Sequence, residues 1–112
     1  MDLTLEQVLA LAPDATAIAA GRKLANDDVW SNLGSNEAAI WGECQGSALY
    51  QVRVDRADLA AKCTCPSRKL PCKHTLGLLM LAAASPESFA DPDAPAWVSE
   101  WLLESAARWR RR

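Results

Sequence analysis

The sequence predicts an α+β fold: a small antiparallel three- to four-stranded sheet packed on one buried helix, with flanking N- and C-terminal helices. Three observations point there. Strand-type segments separated by turn residues fill the centre of the chain, the stretch from Leu76 to Ala84 is apolar on nearly every face, and a cluster of cysteines with a histidine lies at the seam between the two. The 112 residues fit one domain. Half of them are hydrophobic and 23% are charged, a balance that excludes a disordered tail, a collagen or a coiled coil.

Residues 1–27 read as two helices. Thr4 followed by Gln7 matches a capping box and Leu3 with Val8 has hydrophobic-staple spacing, so a helix starts at Leu5 and ends before Pro13. A second runs from Asp14 to about Ala25, with Ile18, Gly21, Leu24 and Ala25 on one side and Asn26 closing it.

Residues 28–84 hold the sheet and the core helix. Val29–Leu33, Ala38–Cys44 and Leu49–Val54 are strands, broken by Gly34-Ser35-Asn36 and Gln45-Gly46-Ser47, and a fourth short strand lies around Lys62–Cys65. In the third, Tyr50, Val52 and Val54 alternate with Gln51, Arg53 and Asp55, which predicts one face in the core and the other in water. The helix from Cys72 or Lys73 to Ala84 is interrupted only by Thr75 and Gly77, so it is the central, buried one. Residues 85–112 give a short turn at Ser85-Pro86 and a last helix with Val98, Trp101, Leu102, Ser105 and Trp109 along one stripe, which needs a surface to cover its tryptophans.

The longest strongly apolar run covers about nine residues, against the roughly 20 of a membrane-spanning helix. The N-terminal Met-Asp-Leu-Thr lacks the basic and apolar segments of a signal peptide, so a cytoplasmic protein is expected, with no membrane partner. Cytosolic thiols stay reduced, which favours metal binding over disulfides for the four cysteines.

Within CTCPSRKLPCKH stand Cys63, Cys65, Cys72 and His74, the chain's one histidine, spaced C-x-C, six residues, C-x-H. Three thiolates and an imidazole are a tetrahedral zinc set. On a strand Cys63 and Cys65 share a face, Pro66 and Pro71 stiffen the loop, and Cys72 and His74 sit at a helix N-terminus, whose dipole favours the net negative site. Ordinary buried cysteines would have to crowd beside the single histidine by coincidence, and a redox pair at Cys63 and Cys65 would be expected as C-x-x-C at a helix start. One structural zinc is expected. All four positions are filled by protein, the histidine is committed, and no phosphate loop or dinucleotide fingerprint is present, so neither catalysis nor a small-molecule substrate is expected. Cys44 falls outside the spacing and reads as a small core residue.

C-x-C followed by C-x-H, with basic residues between and an apolar helix after, resembles the SWIM zinc finger. Tyr50-Gln51-Val52-Arg53-Val54 stands where that family carries a strand, and the runs Trp41–Ser47 and Trp97–Leu102 are similar to the N-terminal part of bacterial SWIM-containing proteins. The resemblance implies a zinc-stabilised module that binds DNA or other proteins, with the ligands carried onto Cys63, Cys65, Cys72 and His74.

Two partner classes follow. The net charge is −2, yet residues 53–74 hold six basic and two acidic side chains. Arg53, Arg56, Lys62, Arg68, Lys69 and Lys73 are the nucleic-acid candidates; the same charges also serve as a solvated rim that offsets the thiolates. The apolar helix after His74 lacks the polar side chains that read base edges. A protein partner is the other reading, carried by the five tryptophans, with Trp97 and Trp109 as contact candidates and Trp101 as core.

Overall fold

The structure, a computed structural model, describes residues 3–68 and 70–110, with side chains as far as Ser105. Helix α1 spans Leu5–Leu11 and α2 Ala15–Lys23, a 3-10 turn covers Asp27–Val29, and strands β1 Trp30–Ser35, β2 Ala39–Gln45, β3 Leu49–Asp55 and β4 Ala61–Cys63 follow. Helix α3, Lys73–Ala84, leads through a 3-10 turn at Pro86–Phe89 to α4, Ala96–Arg110. The strands form one antiparallel sheet in the order β1-β2-β3-β4.

Local chemistry starts the first helices as expected. The Thr4 hydroxyl accepts from Gln7 N while the Gln7 side chain accepts from Thr4 N, and the Asp14 carboxylate accepts from Ala17 N. Helix α2 stops at Lys23, two residues earlier than its periodicity suggests. Asn26 explains this: its amide donates to Lys23 O, and its oxygen caps the 3-10 turn by accepting from Asp28 N.

One face of the sheet packs on α3, and the core lies between them. Ile40, Cys44, Val52 and Val54 meet Leu76, Leu79 and Met80, with Val8 of α1 and Phe89 closing the ends. Helix α3 is buried from His74 to Ala82, as its uniform apolarity demands. It crosses α2 at two glycines. A Cβ on Gly21 would lie 2.9 Å from Leu76 Cβ, and one on Gly77 would lie 2.7 Å from Leu24 Cβ, so the backbones approach only because both positions lack one.

On the opposite face Lys62 is exposed and Glu43 and Gln51 are half-buried, but the part that holds Ala39, Trp41 and Arg53 does not meet water. Helix α4 covers it, setting Val98, Trp97 and Leu102 on Ala39 and Trp41, while Ser105 donates to the Asp55 carboxylate at 3.1 Å. The strand alternation therefore misplaces Arg53: it points away from α3 but is only 7% exposed, shut beneath α4. Trp41, 2% exposed, is the residue that requires this second layer. Among the described residues no helix is long and apolar enough to cross a membrane.

Candidate metal centre

The last strand and the core helix bring the four thiol and imidazole groups together. β4 ends at Cys63 rather than Cys65, with Thr64 holding the ladder one step further: its N–H donates to Gln51 O at 3.2 Å and its hydroxyl accepts from Gln51 N at 2.9 Å. Cys65 thus faces the same site as Cys63 because the chain bends there, not because of strand alternation. Across the loop, Cys72 is the N-cap of α3 and His74 lies in its first turn.

The ligand atoms of Cys63, Cys65, Cys72 and His74 all lie within 4.8 Å of one another. His74 Nδ1 stands 3.8 Å from Cys63 Sγ and 3.9 Å from Cys72 Sγ. Zinc–sulfur bonds of about 2.3 Å and zinc–nitrogen bonds of about 2.0 Å give tetrahedron edges of roughly 3.5 to 3.8 Å, so the cluster fits one zinc ion with little contraction. Three soft sulfurs and an imidazole select that metal over calcium or magnesium, which take oxygen ligands.

Polar surroundings prepare the sulfurs unequally. Cys72 Sγ accepts from Thr75 N at 3.5 Å and lies 3.4 Å from Thr75 Oγ1, both inside the fold. The hydrogen bond from Cys63, followed by those from His74 and Thr75, holds the Cys72 thiol down to about 3 against the opposing effect of burial. The same shared bond with Cys72, together with burial, pushes Cys63 up. On the other side of the centre Tyr50 lies against the His74 ring, centroids 4.7 Å apart at 40°. Thr75 and Tyr50 carry no ligand chemistry of their own. Thr75 is signalled by its place one residue after C-x-H, whereas Tyr50 reaches His74 only through sheet register.

The basic candidates separate. Arg53 is corrected from a surface position to a buried one: its guanidinium lies 5.5 Å from the Trp97 ring centroid, and Nε and Nη1 have no hydrogen-bond partner. Desolvation lowers its pKa, opposed by the charges of Cys63 and Glu104. Arg56 is half-buried and donates to Asn36 O at 2.8 Å. Lys62, Arg68 and Lys73 are exposed, the last two flanking the ligands; Lys69 lies outside the described residues. Trp97 is half-buried against Arg53 and the β2 side chains, while the side chain of Trp109 lies outside those described. Cys44 is fully buried in the α3-facing core and is not one of the four clustered ligands.

Residues 50–83 match the family model of the SWIM zinc finger. The matched span takes in β3, β4, all four ligands and most of α3. Trp41–Ser47 and Trp97–Leu102 fall outside it. Searches of the curated proteins and of the solved structures each return no match.

Proposed function

We propose that this SWIM-type zinc finger domain protein is a zinc-stabilised interaction module that mediates protein–protein contacts within a larger protein or assembly. Zinc, when bound, would join β4 to α3 and fix the loop between them; four protein ligands leave no position for a substrate or a reactive water, so no catalysis is proposed.

The observation that carries the reading is Leu70. It is 76% exposed in a loop pinned at both ends by metal ligands, the arrangement in which an apolar side chain can be offered to a partner without collapsing inward. Trp97 supports a contact role less well, because half of it is spent on Arg53.

Nucleic-acid binding through the zinc loop is the second reading, favoured by the exposure of Lys62, Arg68 and Lys73. Burial of Arg53 and engagement of Arg56 shorten the basic surface that reading needs. About four phosphate contacts would give a slope of log affinity on log salt of roughly −3 to −4. Labelled single- and double-stranded DNA titrated into zinc-loaded protein at two salt concentrations separates the readings. Under the protein-contact reading no salt-dependent binding appears below roughly 100 µM, while Leu70→Asp, with its zinc retained, loses the partner captured by wild type.

A further inference from the structure

The four ligands close the metal centre on one side; on the other a cleft of about 630 Å³ opens against it, within the size range of ligand pockets. Ala17 and Ala20 of α2, Pro66 and Pro71 of the zinc loop, and Lys73 and His74 of α3 are among the residues that line it. We infer that this cleft is the docking site of the module for an acidic peptide segment that carries an apolar side chain. The inference rests on the protein-contact reading above and gives its partner a chemistry.

Three features set that chemistry. Apolar walls of alanine and proline suit an aliphatic side chain. Among the described residues Lys73 is the one cationic side chain of the lining, and no carboxylate lines the cleft. His74, whose Nδ1 is turned to the sulfurs, lines the cleft as well. A third feature is charge. From Leu59 to Pro86 the chain contains Lys62, Arg68, Lys69 and Lys73 and not one Asp or Glu. Lys62 lies on β4 beside Arg53, but Arg68, Lys69 and Lys73 fall between Cys65 and His74 in the sequence; against those three a zinc ion with three thiolates would contribute −1, so the loop stays positive and complements an acidic segment.

A nucleic acid fits the same place less well. The Tyr50 ring, which borders the cleft, is already engaged by His74 on one side, and Arg53 is out of reach beneath α4.

A phage-displayed random dodecapeptide library panned on the zinc-loaded full chain tests this. Thr16→Trp and Ser47→Trp fill the cleft from opposite sides at exposed positions, and Lys73→Glu reverses its charge; each variant is first checked for one zinc per chain and a native circular dichroism spectrum. Enriched peptides are expected to pair Asp or Glu with an aliphatic residue. Synthetic copies should bind wild type and weaken about tenfold or more with Lys73→Glu and with either blocking variant that folds. Peptides that bind all variants equally would overturn the cleft assignment while leaving the protein-contact reading in place. Failure to enrich any acidic peptide also overturns it, and if a labelled oligonucleotide then binds in a Lys73→Glu-sensitive way, the protein-contact reading falls with it.

Discussion

Arg53 and Trp97 face each other across the layer between the sheet and α4, the guanidinium carbon 5.5 Å from the ring centroid, and the ring, with the charges of Cys63 and Glu104, offsets in part the burial of a guanidinium that has two unpartnered nitrogens. A cation over an indole contributes about 0.5 to 2 kcal/mol, less than the several kcal/mol that desolvating an ion costs. Arg53 is therefore a strained occupant of the α4-facing layer.

Replacing it with an apolar residue of similar length should relieve that cost. Arg53→Met is expected to leave the melting temperature unchanged or to raise it, in line with buried charges whose apolar replacements are neutral or stabilising by about 1–4 kcal/mol. Thermal unfolding of the zinc-loaded protein measures this. A drop of more than about 5 °C, which in a domain of this size corresponds to roughly 1 kcal/mol, would show that Arg53 holds α4 in place.

The metal should be indispensable to the β4–α3 connection. Structural zinc supplies on the order of 10 kcal/mol at neutral pH, comparable to the whole stability of a small domain. Cys65→Ser is expected to lose most of its bound zinc by elemental analysis, and a strong chelator should abolish the near-ultraviolet circular dichroism of wild type. Full retention of one zinc per chain by Cys65→Ser would rule this ligand set out.

Thr75 touches Cys72 through both its N–H and its hydroxyl, and a thiolate bound to zinc can only accept from them. Thr75→Val removes the hydroxyl donor and keeps the shape. Zinc affinity, read by competition with a chromophoric chelator, should fall roughly 10- to 100-fold. Thr75→Ser should stay close to wild type, and the cobalt-substituted forms should show a shifted sulfur-to-metal band for valine only. Equal affinities for the three proteins would assign Thr75 a packing role alone.

Gly77→Ala asks whether helix propensity or crowding decides. Alanine gains about 1 kcal/mol within a helix, whereas overpacking costs about 1–3 kcal/mol. The new methyl would meet Leu24 Cβ at 2.7 Å and Gly21 O at 3.1 Å, atoms rooted in the partner helix that cannot swing aside. A net loss of up to about 2 kcal/mol is expected in denaturant titration. A stabilised variant would mean that α2 and α3 separate readily.

Cys44 should behave unlike the other three thiols. Burial pushes its pKa up, the opposing charge of Lys73 being smaller, so thiolate is scarce at neutral pH. A raised acid pKa means that the folded chain holds its proton more tightly than the unfolded one. Its contribution to stability is complete below the unfolded value, near 9, and is lost as pH rises beyond it. Alkylation of native protein followed by mass spectrometry should leave Cys44 unlabelled until denaturant is added; rapid native labelling at pH 7 would contradict its burial.

Much of the fold is legible in the sequence because the signals are local. Thr4 with Gln7 settles the start of α1 through side chains three residues apart, and the apolarity of Leu76–Ala84 leaves α3 nowhere to go but the core. The second layer was not readable from β3 alone. Arg53 alternates correctly, but alternation says which side a residue takes and not what covers that side. The missing clue was in β2, where Ala39, Ile40 and Trp41 are apolar on both faces, a pattern of doubly buried strands. Cys65 was placed on a strand for a similar reason: C-x-C alternation is satisfied equally by a bend, and only the hydrogen bonds of Thr64 tell them apart.

β4 is three residues long and lies at the border of the sheet, with the metal ligands beginning at its last residue. Backbone groups along such a border readily recruit further strands, and shortness is one defence against that. Here the clamp supplies a second, since the chain turns off the sheet after Thr64, between the ligands Cys63 and Cys65. Starved of metal, the protein would regain a loose, ladder-ready margin beside the thiols, and its characteristic failure would be self-association and oxidative cross-linking rather than simple melting.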